Sequence, residues 1–232
     1  DFTTLVAKGH VANMPSKISV LLVDDQRLLR DGLRTLLELE PDLDVVGEAG
    51  NGEEGLARYA ELLPSVVLMD VRMPGMGGLE ATRKIKRLYP DIAIVVVTAC
   101  IGDPYPSKLL QAGAAGFITK EANLAEMTLA IQKVHLGQKY LSPEIAQRLA
   151  LNAYDGNPQK DGPFADLSDR ELQIAMLIVS CKKVQEISDS LFLSPKTVNT
   201  YRYRLFAKLN IESDVELALL AVKHGLLDPS EA

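Results

Sequence analysis

Four short apolar stretches of this sequence each end in a residue suited to phosphoryl chemistry. Ile18-Ser-Val-Leu-Leu-Val is followed by two adjacent acids, Asp24 and Asp25; Val66-Val-Leu-Met runs into Asp70; Ile92-Ala-Ile-Val-Val-Val runs into Thr98; Gly116-Phe117-Ile-Thr runs into Lys120. Short apolar runs rich in β-branched residues and bounded by turn residues read as buried strands of a parallel sheet. Open α/β sheets place their ligand sites beyond the carboxyl ends of the strands. Side by side, these ends bring three carboxylates, a hydroxyl and an ammonium to one rim. Clustered acids repel one another unless a cation sits among them. Hard carboxylate oxygens suit Mg²⁺, or Mn²⁺ in its place, which keeps waters and takes a phosphate oxygen. Asp70 would then be a nucleophile toward a phosphoryl group, forming an aspartyl phosphate. A metal held by Asp25 and Asp70 and oriented by Asp24 would neutralise the phosphoryl oxygens. Thr98 would hydrogen-bond one oxygen and Lys120 would pair with another as a point charge. Each residue has a plainer use: the paired acids as a helix cap, Thr98 as core, Lys120 as a solvated amine. Four coincident strand ends favour the joint reading.

The elements that must position these groups alternate strand and helix from Lys17 onward. After the first strand, Leu28, Leu29, Leu33, Leu36 and Leu37 recur at helical spacing. Leu43 to Glu48 reads as a short strand, and Asn51-Gly52 turns into a helix that ends before Pro64. The Asp70 strand leads through a Pro/Gly-rich turn to a helix from about Gly78 to Leu88. Two prolines in Cys100-Ile-Gly-Asp-Pro-Tyr-Pro106 should delay or shorten the fourth helix, because proline fits a helix start but not its interior. Gly113 ends that helix, and Leu124 to Leu136 forms the fifth, closed by Gly137. Five βα units with right-handed crossovers predict a doubly wound α/β domain with a five-stranded parallel sheet.

These residues resemble the receiver domain of bacterial two-component response regulators, over about Lys17 to Gly137. The resemblance rests on Asp24-Asp25, Asp70 with Met73-Pro74-Gly75, Thr98-Ala99, and Lys120 with Phe117 three residues before it. It implies a flavodoxin-like strand order of 2-1-3-4-5 and a phosphoryl group delivered by a sensor histidine kinase. It also implies that the backbone carbonyl of Arg72 is a metal ligand and that Phe117 is the switch aromatic. Glu121 stands where many receivers have proline.

At 232 residues the chain has room for two ordinary domains. No apolar tract is long enough to span a bilayer. Its two cysteines, Cys100 and Cys181, form no disulfide or zinc pattern, which fits a reducing cytoplasm. A net charge of −6 argues against DNA attraction by the surface as a whole, so any affinity must come from a local patch. The three histidines, His10, His135 and His224, are scattered and are not read as ligands. Residues 1–16 lack periodicity and carry no secretory signal; they are expected to be a disordered tail, with Met14 a plausible native start. The receiver-like domain is placed at 17–138 and a linker at 139–163. Within the linker, Ser142 and Pro143 open a short helix, and Gly156, Pro158, Gly162 and Pro163 mark a mobile boundary.

From residue 164 to 232 the strand pattern gives way to four helix starts in a small all-α domain. Ser168-Asp-Arg-Glu171 and Ser213-Asp-Val-Glu216 are capping boxes. Val184 to Leu191 is short, with Ile187 and Leu191 inward. Ser194-Pro195 is a cap followed by proline at the first helical position, opening a helix to about Leu209. Two helices separated by Phe192-Leu193-Ser194 make a helix-turn-helix. Between Ser194 and Leu209 there are four basic residues, Lys196, Arg202, Arg204 and Lys208, and no acid. With Val198, Leu205 and Leu209 inward, the opposite face presents Lys196, Asn199, Thr200 and Tyr203. Such a helix fits a DNA major groove, its Asn and Thr reading base edges and its cations holding phosphates. The plainer alternative is a solvated amphipathic helix of an interaction module.

This region resembles the LuxR/FixJ (NarL-type) family in Leu167-Ser-Asp-Arg-Glu-Leu, Glu186-Ile-Ser, and Leu193-Ser-Pro-Lys196-Thr197-Val198 through Lys208-Leu209. By that resemblance Asn199, Thr200 and Tyr203 lie at base-reading positions and the last helix mediates dimerisation. Cys181 replaces the glycine usual in the turn between the first two helices and should strain it. The whole chain is most similar to the GacA/UvrY branch. That likeness implies a hybrid sensor kinase as phosphodonor, double-stranded promoter DNA as target, a homodimer when phosphorylated, and activation of small regulatory RNA genes. Two other readings stand beside it. One is a DNA-binding regulator whose receiver-like half accepts no phosphate. The other is an aspartyl-phosphate phosphatase, which would usually carry a second acid where Arg72 stands.

Overall fold

The computed structural model describes residues 17–99, 104–154, 162–224 and 226. The expected tail at 1–16, residues 100–103 of the proline loop, residues 155–161 of the expected boundary, and Gly225, where the sequence predicts the last helix to stop, lie outside the described residues. The first part runs β1 (Ile18–Val23), α1 (Arg27–Leu37), β2 (Leu43–Ala49), α2 (Gly52–Leu62), β3 (Val66–Asp70), α3 (Gly78–Leu88), β4 (Ala93–Thr98), α4 (Tyr105–Gln111), β5 (Gly116–Thr119) and α5 (Leu124–His135). All strand pairs are parallel. The sheet order begins 2-1-3-4-5, as the receiver resemblance implies. β3 is buried at every residue because helices cover both faces of the sheet.

The helix after β1 buries less than its leucine content suggests. Leu37 is fully buried, whereas Leu28 is 87% exposed and Leu36 44% exposed. Leu29, Leu33 and Leu37 are spaced by four and form one stripe; Leu28 and Leu36 lie about 100° off it and miss the sheet. α4 begins only at Tyr105 and has seven residues, the shortening that the prolines impose.

A sixth parallel strand, β6 (Tyr140–Leu141), joins the edge of β5. Tyr140 N–H donates to the Ala115 carbonyl at 3.0 Å and Ser142 N–H to the Phe117 carbonyl at 2.9 Å. Two residues carry no alternation to read, so the pattern of the sequence gives five strands. α6 (Pro143–Tyr154) follows. Ser142 precedes it and its carbonyl accepts from Ala146 N–H at 2.9 Å. The expected capping hydroxyl is buried without a hydrogen-bond partner among the described residues.

The second part is helical: α7 (Asp169–Val179), α8 (Val184–Leu191), α9 (Pro195–Leu209) and α10 (Asp214–Lys223). The Ser168–Glu171 capping box is complete. At α10, Ser213 Oγ accepts from Glu216 N–H at 3.2 Å, but the Glu216 carboxylate takes the N–H of Glu212 instead of that of Ser213. At α8 the cap position is Lys183, whose ammonium accepts nothing, so Glu186 alone satisfies the Lys183 N–H at 2.7 Å. Cys181, in the turn before it, has φ +57°, the left-handed region its sequence position foretold. Leu172, Ile187, Leu191, Val198, Leu205 and Leu217 fill the core. One apolar cluster continues from Leu79, Tyr105, Leu109 and Phe117 through Ile145 and Phe164 into this core. The two parts are therefore packed together.

Candidate functional site

Parallel pairing in register sets the rim. Asp70 lies opposite Val97, so the next residue on β4, Thr98, follows directly beyond it, and Thr98 in turn lies opposite Thr119. Lys120 N–H donates to the Thr98 carbonyl at 2.9 Å, turning the lysine back over the strand ends. Its Nζ lies 2.8 Å from Asp24 Oδ2 and 3.0 Å from Asp70 Oδ2. Carboxylate oxygens of Asp24, Asp25 and Asp70 all lie within 4.8 Å of one another. Asp24, Asp70 and Thr98 are buried, while Asp25 faces solvent. The four strand ends of the sequence do converge.

Electrostatics follow from burial. Burial pushes the Asp70 carboxyl up to about 6; Lys120 pulls it down, and the Asp24 charge adds to the rise. Burial and Asp24 likewise raise Asp25. Burial works against the Lys120 ammonium, but the two acids at hydrogen-bond distance outweigh it and its pKa rises. Three carboxylates against one ammonium leave an excess of two negative charges when all are ionised. The compact oxygen set and that excess charge fit a divalent hard cation.

The turn after β3 is shaped by glycine. A side chain at Gly78 would place Cβ 1.9 Å from the Asp70 carbonyl oxygen, and Gly75 has φ +64°. Asp70 Oδ1 accepts from Val71 N–H at 2.7 Å. Arg72, whose carbonyl the resemblance implies as a ligand, follows directly. Phe117 is fully buried in the cluster beside Tyr105 and Leu109. The residue that the resemblance makes the switch aromatic thus lies inward, in the apolar core.

Residues of α7 and α8 reach this turn, which sequence reasoning missed. Gly75 N–H donates to the Ser190 carbonyl at 2.8 Å, and Arg170 Nη1 donates to the Gly75 carbonyl at 2.7 Å. Gln173 Nε2 lies 3.1 Å from the Met73 carbonyl and 3.2 Å from that of Gly75. A cavity of about 270 Å³ beside these contacts is lined by Asp25, Arg72 and Pro74 on one side and by Gln173, Met176 and Lys182 on the other. Backbone carbonyls leave no trace in residue type, so nothing in the sequence marks them as partners.

On α9, Lys196, Thr200, Tyr203 and Arg204 are exposed, with Thr197 and Asn199 half-buried beside them. Val198, Leu205 and Leu209 are buried, as the inward stripe requires. The other two cations serve the domain itself. Arg202 forms a two-pronged pair with Asp214 of α10, at 2.9 and 2.6 Å. Lys208 Nζ lies 2.7 Å from Glu171 Oε2. Burial raises the Glu171 carboxyl, but its bonds to Lys208 and Ser168 bring it below the usual range. Of the four cations expected to hold phosphates, Lys196 and Arg204 remain on the open face.

A receiver-type acidic rim joined to a four-helix unit with a helix-turn-helix defines a response regulator, and comparison with known proteins agrees. Residues 20–132 match the response regulator receiver domain, and residues 165–221 match the LuxR family of bacterial regulatory proteins. The chain belongs to the LuxR-type two-component response regulators, regulators of transcription that act through phosphorylation. Among them it is similar to the response regulator GacA of Pseudomonas viridiflava, 61% identical over 214 residues, covering 92% of this chain and 99% of that one. It is also similar to the response regulator UvrY of Escherichia coli K12, 51% identical over 210 residues, covering 90% of this chain and 95% of that one. A solved structure of the Salmonella typhimurium RcsB response regulator aligns with a TM-score of 0.56 at 26% identity, covering 90% and 99% of the two chains.

Proposed function

We propose that Asp70 is the phosphoacceptor of this regulator and that a phosphohistidine on a hybrid sensor kinase is its donor. A carboxylate oxygen of Asp70 forms the new bond to phosphorus as the donor's phosphorus–nitrogen bond breaks, and the electron pair leaves with the imidazole. Mg²⁺ bound by Asp24, Asp25, Asp70 and the Arg72 carbonyl would supply charge neutralisation at the phosphoryl oxygens. Lys120 pairs with one of those oxygens and the Thr98 hydroxyl donates to another. The observation that carries this reading is Lys120 Nζ bridging Asp24 and Asp70 at 2.8 and 3.0 Å, inside a set of three carboxylates.

The output is binding of promoter DNA by α9. Thr197, Asn199, Thr200 and Tyr203 read base edges, and Lys196 and Arg204 hold phosphates. Arg202 and Lys208 orient the helix through Asp214 and Glu171. Phosphorylation alters the face formed by α4, β5 and α5, favours a homodimer, and pairs two recognition helices on a roughly symmetric site. The targets are promoters of small regulatory RNA genes, and the place of action is the cytoplasm; no described helix is long and apolar enough to cross a membrane. The domain limits are 17–138 for the receiver and 164–232 for the DNA-binding part, joined by 139–163.

The test is incubation with acetyl phosphate and Mg²⁺, followed by intact mass and by DNA binding. Wild type should gain one phosphoryl mass and bind DNA more tightly, and Asp70→Asn should do neither. No Asp70-dependent mass gain would leave a DNA-binding protein with an inert receiver. Rapid turnover of a phosphomonoester would instead indicate the phosphatase.

A further inference from the structure

The turn that follows the phosphoacceptor is held from two sides. From within the receiver, the Glu53 carboxylate accepts from Met76 N–H at 2.9 Å, and the Met76 carbonyl accepts from Gly52 N–H at 3.1 Å. From the DNA-binding part, Arg170 and Gln173 donate to the Met73 and Gly75 carbonyls, and the Ser190 carbonyl accepts from Gly75 N–H. Arg170 and Gln173 are also bonded to each other, Nη1 to Oε1 at 2.7 Å, and Arg170 Nη2 donates to the Leu191 carbonyl at the end of α8 at 2.8 Å. The pair is thus fixed to the helical core before it touches the turn. A Cβ at Gly77 would lie 3.1 Å from Gln173 Nε2, so the backbone approaches closely at this point.

We infer that Arg170 and Gln173, two side chains of the DNA-binding domain, are positioning residues of the receiver's metal site. This positioning role rests on the proposed role of Arg72 and works by preorganisation. The Arg72 carbonyl is one residue from the Met73 carbonyl that Gln173 holds. The turn from Met73 to Gly78 contains three glycines and would otherwise sample many conformations. Fixing its carbonyls in advance lowers the entropy lost when a neighbouring carbonyl turns to a cation. Docking of the DNA-binding domain and metal affinity at Asp24, Asp25 and Asp70 are then coupled, and reciprocally so.

Gln173 is the residue to test, because Arg170 also ties the helical core together. Two variants suffice: Gln173→Ala, which removes the donor, and Gln173→Glu, which sets a carboxylate against two carbonyls while keeping an acceptor for Arg170. Dissociation constants for Mn²⁺ are read by electron paramagnetic resonance and for Mg²⁺ by calorimetry on the full chain, with circular dichroism as a check on folding. The expected result is metal binding weakened about threefold or more in Gln173→Ala, the size of a lost hydrogen bond, and further in Gln173→Glu, with unchanged helix content. Unchanged or tighter binding in both variants would overturn the inference while leaving the metal site in place. Failure of the wild-type chain to bind either ion would overturn the metal site itself, a different outcome. A variant that loses helix content is replaced by Gln173→Asn, which keeps the amide but shortens its reach; equal affinity to wild type would again overturn the positioning role.

Discussion

Replacing Asp70 with asparagine isolates what it costs the fold to keep a carboxylate at the rim. In the folded protein this carboxyl titrates at about 6, against 3.8 for the free group, because burial outweighs the attraction of Lys120. The folded state therefore holds a proton that the unfolded state has released everywhere between those two values. Stability contributed by this group falls as pH rises through that window. Below the window both states are protonated and the cost is absent; above it the cost is complete. At about 1.4 kcal/mol for each pH unit, the ionised carboxylate costs the folded protein about 3 kcal/mol at neutral pH. Asparagine has the shape of the protonated acid and no charge, so the variant should be more stable than wild type by about 1 to 3 kcal/mol at pH 7 or above. The lower figure allows for Lys120 losing one of its two partners. The gain should shrink steadily on acidification and vanish near pH 4. Urea unfolding followed by far-ultraviolet circular dichroism, on both proteins without divalent ions, gives the difference curve directly. An asparagine variant no more stable than wild type at pH 8, or a difference that does not change between about pH 4 and 6, would refute the reasoning.

Other perturbations have equally definite outcomes. Lys120→Met leaves Asp24 and Asp70 buried without their cation, and should cost about 3 kcal/mol in urea unfolding, less at pH 5, where Asp70 takes a proton. Cys181→Gly relieves a left-handed turn and should raise stability by about 1 kcal/mol in a thermal melt; a loss would mean that the thiol contributes packing of its own. Lys196→Ala and Arg204→Ala should each flatten the salt dependence of DNA binding by about one unit of slope in a fluorescence anisotropy titration. Arg202→Ala should leave that slope unchanged and lower stability by about 1 kcal/mol, because its guanidinium is paired with Asp214; a slope that falls with Arg202 would return it to the DNA-contacting set.

The acidic rim was legible because a strand ends where its apolar run ends. Asp24, Asp70, Thr98 and Lys120 each sit at such an end, and a parallel sheet has one way to bring successive ends to one edge. The caps were legible for a similar reason: Ser168 and Ser194 act within three residues, where chain geometry alone decides the partner. Partners distant in sequence were not. Arg202 and Arg204 look alike along the chain, and the tertiary fold alone sets one against Asp214 and leaves the other on the open face. Two residues of added strand at Tyr140 carry too short a pattern to see, yet they tie the linker to the backbone of Phe117. The contacts of Arg170 and Gln173 with the turn after Asp70 are made to carbonyl oxygens, which every residue possesses, so residue type could not announce them. Sequence by itself determined which acidic, hydroxyl and basic groups stand at the strand ends and which local elements present them. Only the packed structure decided which cations are spent inside the protein and that the DNA-binding domain touches the turn after Asp70, because both depend on distances between segments that the chain order does not encode.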